Sequence, residues 1–178
     1  MTSPTTPQPR LVAGIAAAVV GALIGATVWA VIASSTDFKI GFAAVGVGAL
    51  TGVLAGKVGG GAPQLPVIAA VVGLLGCVVG DVLIDAHAFS SAIKEAEGID
   101  VSTWRVVKEM VKDPSGFGWD LYKEGFKALD ALFYALAASA GFRLATAQGL
   151  LHHQAAAAPS YPPPSGDPAP AATDEPTP

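Results

Sequence analysis

Residues 11–33 of the chain read LVAGIAAAVVGALIGATVWAVIA and contain no charged side chain. In a helix each residue rises 1.5 Å, so about 20 apolar residues cross a hydrocarbon core roughly 30 Å thick. We therefore predict that this segment spans a membrane. A cleaved signal peptide is the alternative, since Arg10 precedes the run and Ala33 could lie at a cleavage site. The apolar part of a signal peptide is usually about 7–15 residues long, which favours an uncleaved helix.

Three further apolar runs follow the first one, and we predict that each spans the membrane. They occupy residues 39–56, 66–86 and 128–150. The second run ends at Lys57 and a stretch rich in glycine and proline, because such residues do not hold a helix. The fourth run contains Arg143, which costs about 2.5–3.5 kcal/mol at mid-bilayer. Near a helix end the cost is much smaller, because the side chain can reach the headgroups.

The composition agrees with four spans. Of the 178 residues, 52% are hydrophobic and 13% are charged, whereas an average soluble domain has roughly 25% charged residues. The predicted fold class is therefore all-α: a polytopic integral membrane protein with about four transmembrane helices. The formal charge of −4, without any basic block, argues against a nucleic-acid partner. The single cysteine, Cys77, cannot form an intrachain disulfide and is interpreted as a small packing residue.

The polar segments lie outside these spans. Residues 1–10 and 153–178 are rich in proline and are predicted to be disordered tails on a membrane domain of residues 11–152. Residues 87–125 form the sizeable polar loop between spans three and four.

One part of this loop, VSTWRVVKEMV, predicts a short amphipathic helix. Asp100 or Ser102 could cap it, and Trp104, Val107 and Val111 then share one face. Such a helix is expected to lie in the membrane interface. The sequence DPSG at 113–116 should end it, and a second short helix should lead from about Trp119 into span four.

An even number of spans places both tails on the same side of the membrane. The loop side then carries more lysine and arginine than the tail side, which favours a cytoplasmic loop. Trp29, Trp104 and Trp119 all fall near the loop side, as expected for an aromatic belt.

Small residues recur every four positions in all four spans. This spacing makes a flat helix face, which another helix backbone can approach closely. We predict that these faces pack the four helices into one glycine-packed bundle; the alternative is that one of them mediates association with another subunit. The glycines concerned are Gly21, Gly25, Gly48, Gly52, Gly56, Gly76, Gly80 and Gly141.

Two carboxylates near the end of span three are the candidates for a functional polar site. Asp81 and Asp85 are four residues apart and share a helix face. Carboxylates inside a span often mark a proton or ion path. His87 follows them, and Asp130 at the start of span four should lie at the same membrane level. The alternative is that headgroups simply solvate these residues at the interface.

No catalytic or cofactor-binding motif is present in the sequence. There is no HExxH, P-loop or GxSxG elbow, and the His152-His153 pair points in two directions on a helix. We therefore predict no enzyme activity, no cofactor and no metal site, although a cluster of the four polar residues would be the one place to look for a metal.

Three segments carry a resemblance to a known group of proteins. They are GATVWAVIASSTDFKIGFAAVGVGALTG, PVIAAVVGLLGCVVGDVL and DALFYALAASAGFRLA. Over roughly residues 20–145 the chain resembles a family of uncharacterised bacterial membrane proteins with four helices. The resemblance implies the four-helix membrane fold but supplies no activity. Some of those relatives carry an N-terminal zinc-ribbon, whose cysteine pairs this chain lacks; a cytoplasmic zinc-ribbon would favour internal tails, so the orientation stays open.

Two functional hypotheses follow from these patterns. The first is a structural or interaction component of the cell membrane, whose partners are the lipid bilayer and either a second copy or another membrane protein, bound through a small-residue face. The alternative is a small proton or cation transporter or channel component that uses Asp81 and Asp85. A membrane-embedded enzyme is least favoured, since no nucleophile–base pair is visible.

Overall fold

The structure, a computed structural model, describes residues 10–36 and 41–157. All regular secondary structure within these residues is helical. The six helices are α1 (Leu11–Thr36), α2 (Phe42–Gly59), α3 (Leu65–Glu97), α4 (Thr103–Lys112), α5 (Phe117–Gly125) and α6 (Ala128–Ala157).

Four of the helices, α1, α2, α3 and α6, are long and apolar enough to cross a membrane. The predicted fold class is therefore confirmed: the chain is an all-α membrane protein with four helices of spanning length. The helices α2 and α3 pack against each other and each contacts both α1 and α6, whereas α1 and α6 do not touch. The α2–α3 pair is thus the centre of the bundle, and α1 and α6 lie on opposite sides of it.

The two ends of the bundle differ. At one end, which we call the tail end, the Arg10 N–H donates to the Gly59 carbonyl (3.2 Å) and His152 Nε2 lies 3.3 Å from the Lys57 carbonyl oxygen. At the other end, the loop end, the rings of Phe42 and Phe133 meet edge to face at 5.3 Å. The first and last described residues both lie at the tail end, and α4 and α5 lie at the loop end.

Several helices run beyond the predicted spans. The helix α3 continues past residue 86 to Glu97 because no glycine or proline interrupts it; Gly98 then adopts φ 67° and donates its N–H to the Lys94 carbonyl (3.0 Å), which ends the helix. The beginning of the predicted loop 87–125 is therefore helical.

The other boundaries shift for similar reasons. The helix α6 extends to Ala157, so the tail predicted to be disordered from residue 153 begins as helix, since this stretch is alanine-rich and precedes the first proline. The helix α1 runs to Thr36 and α2 to Gly59. Residues 39 and 40 of predicted span two, and the predicted disorder of residues 1–9 and 158–178, lie outside the described residues.

The loop-end helices dock on the distal half of α3. Val106, Val107 and Met110 of α4 are buried against Ala86 and its apolar neighbours. Of the face predicted from the sequence, only Val107 is buried; Trp104 is 61% exposed and Val111 is 71% exposed. The helix therefore presents apolar residues on two sides, one buried against α3 and one that stays exposed.

The predicted break between the two short helices is present. Asp113 follows α4, and its carboxylate accepts the N–H groups of Gly116 and Phe117, both at 3.0 Å. These bonds satisfy donors in the first turn of α5, which no helix carbonyl can reach. The helix α5 ends at Gly125, and Phe126 and Lys127 separate it from α6.

Candidate functional site

Asp81 lies in α3 and is buried, with 1% of its surface exposed. It comes sixteen residues after Leu65, where α3 begins at the tail end, which is about 24 Å along the helix. A hydrocarbon core is roughly 30 Å thick, so this carboxylate lies near the loop-side boundary of the core. It is enclosed by protein at that depth.

The hydrogen-bond partner of Asp81 comes from α6. The hydroxyl of Tyr134 donates a hydrogen bond to Oδ2 of Asp81. The hydroxyl of Tyr122, in α5, lies 3.5 Å from that of Tyr134. The ring of Phe126 contacts both tyrosines, with ring centres 5.5 Å from Tyr122 and 5.9 Å from Tyr134. A row of hydroxyl groups thus leads from Asp81 toward the loop end.

Asp85 lies one helical turn further toward the loop end, on the same face of α3. Its carboxylate rests against Gly125 at the end of α5: a Cβ atom added to Gly125 would lie 2.6 Å from both carboxylate oxygens. Only glycine fits this approach without moving the carboxylate. The two aspartates therefore line one seam, Asp81 opposite α6 and Asp85 opposite α5.

The other two predicted polar residues make their hydrogen bonds elsewhere. His87 Nδ1 lies 3.4 Å from Thr103 Oγ1, on the side of α3 that faces α4. Asp130 Oδ2 accepts the Lys127 N–H at 2.7 Å, as a carboxylate does in the first turn of a helix. Among the residues that the structure describes, no group of three or more His, Cys, Asp or Glu side chains could hold a metal ion.

The glycines of α2 pack against the backbone of α6. A Cβ atom at Gly48 would overlap the Ala137 carbonyl, and one at Gly52 would overlap the Gly141 carbonyl. At Gly56 it would lie 2.5 Å from Cβ of Gln148. These contacts place the two helix backbones next to each other, as small residues allow.

The predicted glycines of α1 and α3 are also in helix contacts. A Cβ atom at Gly21 would lie 3.2 Å from the Leu50 carbonyl oxygen, and one at Gly25 would lie 3.0 Å from Cα of Val47. At Gly76 it would lie 2.9 Å from Cβ of Ala22. All these rows face the protein's own bundle.

Gly80 makes room for Trp29. A Cβ atom at Gly80 would lie 2.6 Å from the indole ring, and Trp29 is only 3% exposed. Its Nε1 has no hydrogen-bond partner among the described residues. The prediction that Trp29 belongs to an interfacial belt is therefore wrong, because the ring fills the space that glycine leaves. Trp104 and Trp119 are 61% and 52% exposed at the loop end.

Cys77 is also part of this packed interior. It is fully buried, and its Sγ lies 3.7 Å from the Ala44 carbonyl oxygen, next to Trp29 and Ala137.

A second row on α6, whose members are small except for Arg143, faces outward. It repeats every four positions and all of its members are exposed: Ala131, Ala135, Ser139, Arg143 and Ala147. Only 17% of the apolar stretch of α6 is buried, against 33% in α1, 44% in α2 and 33% in α3. We call these five residues the outer row of α6.

The sequence prediction missed three members of these sites, Tyr122, Tyr134 and Gly125. A tyrosine in an apolar span is a usable signal, because a buried phenol needs a hydrogen-bond partner. The outer row could not be told apart by its spacing, because the inner row that contains Gly141 also repeats every four positions.

Comparison of the chain with protein-family models, curated proteins and solved structures finds no match. The resemblance to four-helix bacterial membrane proteins therefore stays a prediction.

Proposed function

We propose that this protein is a structural or interaction component of the cell membrane, which associates with a second copy or with another membrane protein through the outer row of α6. The observation that carries this proposal is Arg143. Its side chain is exposed on a helix of membrane-spanning length, fifteen residues after Ala128 and twelve before Ala155.

An arginine in this position must either pair with another group or extend its charged end to the headgroups. A charged side chain within a span usually faces protein or water, and at the helix centre its cost is about 2.5–3.5 kcal/mol. Ser139 and Ala147 lie one turn on either side of Arg143 and are small. A second helix could therefore approach closely and offer its carbonyl or carboxylate oxygens to the guanidinium.

The glycine contacts support the choice of this face. The rows that include Gly48 and Gly141 are taken up by contacts within the bundle. The outer row keeps the same four-residue spacing and is exposed with respect to the described residues 10–36 and 41–157. Its flanks include the exposed side chains of Leu132, Leu136 and Leu150, which could contact the same partner.

We expect site-specific crosslinking in native membranes to detect this association. In a Cys77→Ala background, Ala135→Cys should give a crosslinked species that includes most of the protein. Ala16→Cys, an exposed alanine on α1, is the matched control and should stay monomeric. Adding Ser139→Leu should abolish the crosslink, because the bulkier side chain separates the helices.

Two results would count against association. One is a crosslink that forms equally at Ala16→Cys and Ala135→Cys, which would indicate random collision. The other is monomer only, with no protein that co-purifies after mild detergent extraction; Arg143 would then reach the headgroups at the tail end instead.

A second candidate function rests on Asp81. Its burial at 1% exposure and its bond to Tyr134 favour a site that takes up a proton or a small cation. The hydroxyl of Tyr122 continues the polar path toward the loop end. Toward the tail end, the buried polar side chain in the described part of the bundle is Thr51, whose hydroxyl donates to the Val47 carbonyl at 2.7 Å. Uptake from the loop end is therefore the simpler expectation.

A flux assay in liposomes tests this candidate. Replacing Asp81 and Asp85 together with asparagine should abolish any flux that depends on a pH gradient, because asparagine keeps the shape but cannot carry a proton. Asp120→Asn, at an exposed carboxylate of α5, is the control and should leave the flux unchanged. An unaltered flux in the double variant, or no flux in the parent protein, would exclude this candidate function.

A further inference from the structure

A cleft lies between α3 and the two loop-end helices, and its volume is about 470 Å³. Pockets for small ligands have volumes of about 300–1,000 Å³. Its walls are almost entirely apolar and include Val78 and Val82 of α3, Met110 and Val111 of α4, and Trp119 and Tyr122 of α5. We propose that this cleft binds one acyl chain of an anionic membrane phospholipid.

The depth of the cleft suits a lipid. Val78 and Val82 lie thirteen and seventeen residues after Leu65, about 20 and 26 Å along α3. These positions are in the outer part of a hydrocarbon core roughly 30 Å thick. Trp119, which forms part of the wall, is 52% exposed, and tryptophan is common where hydrocarbon meets headgroups. An acyl chain can enter from the bilayer while its headgroup stays in the interface.

Two lysines follow wall residues in the sequence, and one of them lies next to the wall, so a phosphate is the fitting headgroup. Lys112 follows Val111, and Lys123 follows Tyr122 and lies 5.9 Å from the centre of the Trp119 ring. Lys112 is paired with Glu109 at 2.6 Å, and the Asp120 partner of Lys123 lies at 3.1 Å.

These ion pairs do not prevent the lysines from binding a phosphate. All four side chains are more than half exposed, and such exposed pairs contribute little free energy. The ammonium group of Lys123, which lies next to the Trp119 wall, can therefore turn toward a lipid phosphate at the mouth of the cleft, and Lys112 adds a positive charge at the end of α4.

The described ends of the chain lie at the other end of the bundle from the cleft. Arg10 and Ala157, the first and last described residues, lie at the tail end of the bundle, whereas α4 and α5 place the cleft at the loop end. The cleft wall on α3, in contrast, belongs to a helix of membrane-spanning length, so bilayer lipid is the occupant at hand.

Native mass spectrometry of the full chain, purified in detergent and stripped of lipid, tests the proposal. Titration with dioleoylphosphatidylglycerol should give a saturating adduct of one lipid per protomer, and dioleoylphosphatidylcholine should bind more weakly. Val78→Trp fills the cleft and should lose this adduct. Val79→Trp is the matched control: Val79 is the next residue, is 39% exposed and is not part of the cleft wall, so its variant should keep the adduct.

A charge variant and a spectroscopic measurement complete the test. Lys112→Gln with Lys123→Gln should remove the preference for the anionic lipid. In a Trp104→Phe background the remaining tryptophans are Trp119 and Trp29, which is buried in the bundle. A phospholipid with brominated chains should quench the Trp119 part of the fluorescence, and this quenching should saturate at one equivalent. This second measurement needs no change in the cleft, so it decides the question if Val78→Trp does not fold.

Three results would overturn the proposal. They are equal lipid binding by the Val78→Trp and Val79→Trp variants, adducts that accumulate without saturation, and a dimer of the parent protein that dissociates on Val78→Trp. The last of these would place a second copy of the chain in the cleft.

Discussion

Replacing Gly48 with alanine is expected to destabilise the bundle by about 3 kcal/mol, whereas the same change at Gly46 should leave the free energy of unfolding unchanged or slightly raised. Both glycines lie within α2, two residues apart. At Gly48 the new Cβ would overlap the Ala137 carbonyl and lie 2.6 Å from its carbon; at Gly46 nothing lies within 4 Å. The helix propensity of alanine acts equally at both sites. The difference in the free energy of unfolding between the two variants therefore reports the contact with Ala137.

The size of the effect depends on which atoms the new Cβ would contact. Overpacking a core costs about 1–3 kcal/mol and sometimes more, because side chains must leave their rotamers. The atoms next to Gly48 belong to the backbone of α6, which cannot rotate away, so α2 and α6 must separate. That separation would also loosen the contacts of Gly52 and Gly56 with α6, because all three glycines lie on one ridge.

Reversible unfolding in mixed detergent micelles would measure this difference. Gly46→Ala and Gly48→Ala should be compared at the same detergent composition, with helix content followed in both. If the two variants unfold alike, the contact between α2 and α6 is not the one described.

The fold class could be predicted from the sequence because hydropathy and length are local properties. Four long apolar runs suffice to indicate four spans, and each is a helix in the structure. The ends were harder to predict. The predicted end of span three at residue 86 marks where the chain becomes polar, whereas the helix ends only where Gly98 allows a left-handed turn. Hydropathy indicates the membrane boundary, and a helix can continue through it.

The site was less predictable because its contacts join residues that are far apart in the sequence. Asp81 and Asp85 were identified from their spacing alone, but Tyr134 is 53 residues from Asp81. Two rows on α6 repeat every four positions. A single sequence does not indicate which of them faces inward, because both consist mainly of small residues. Arg143 did not resolve the question, because a charged side chain within a span usually faces protein or water, whereas in the structure its row is exposed.

Trp29 offers the second large effect: Trp29→Ala should destabilise the protein by about 3 kcal/mol, near the lower end of the range for removing a buried tryptophan. In a membrane the free side chain would already lie in hydrocarbon, so little transfer free energy is lost. The loss comes from the van der Waals contacts of the ring. These include Gly80 and the cluster around Ala44 and Val47. Trp104→Ala, at a side chain that is 61% exposed, should cost far less.

A double-mutant cycle would show whether the ring and Gly80 act as one unit. Gly80→Ala alone should be destabilising, since its Cβ would lie 2.6 Å from the indole ring. Once Trp29→Ala has removed the ring, the same Cβ has space, so Gly80→Ala should cost little or even recover part of the loss by filling it. Residues in direct contact show such non-additive effects of about 0.5–3 kcal/mol. Additive effects of the two substitutions would mean that the ring does not lie over Gly80, and Trp29 would then belong to the interface after all.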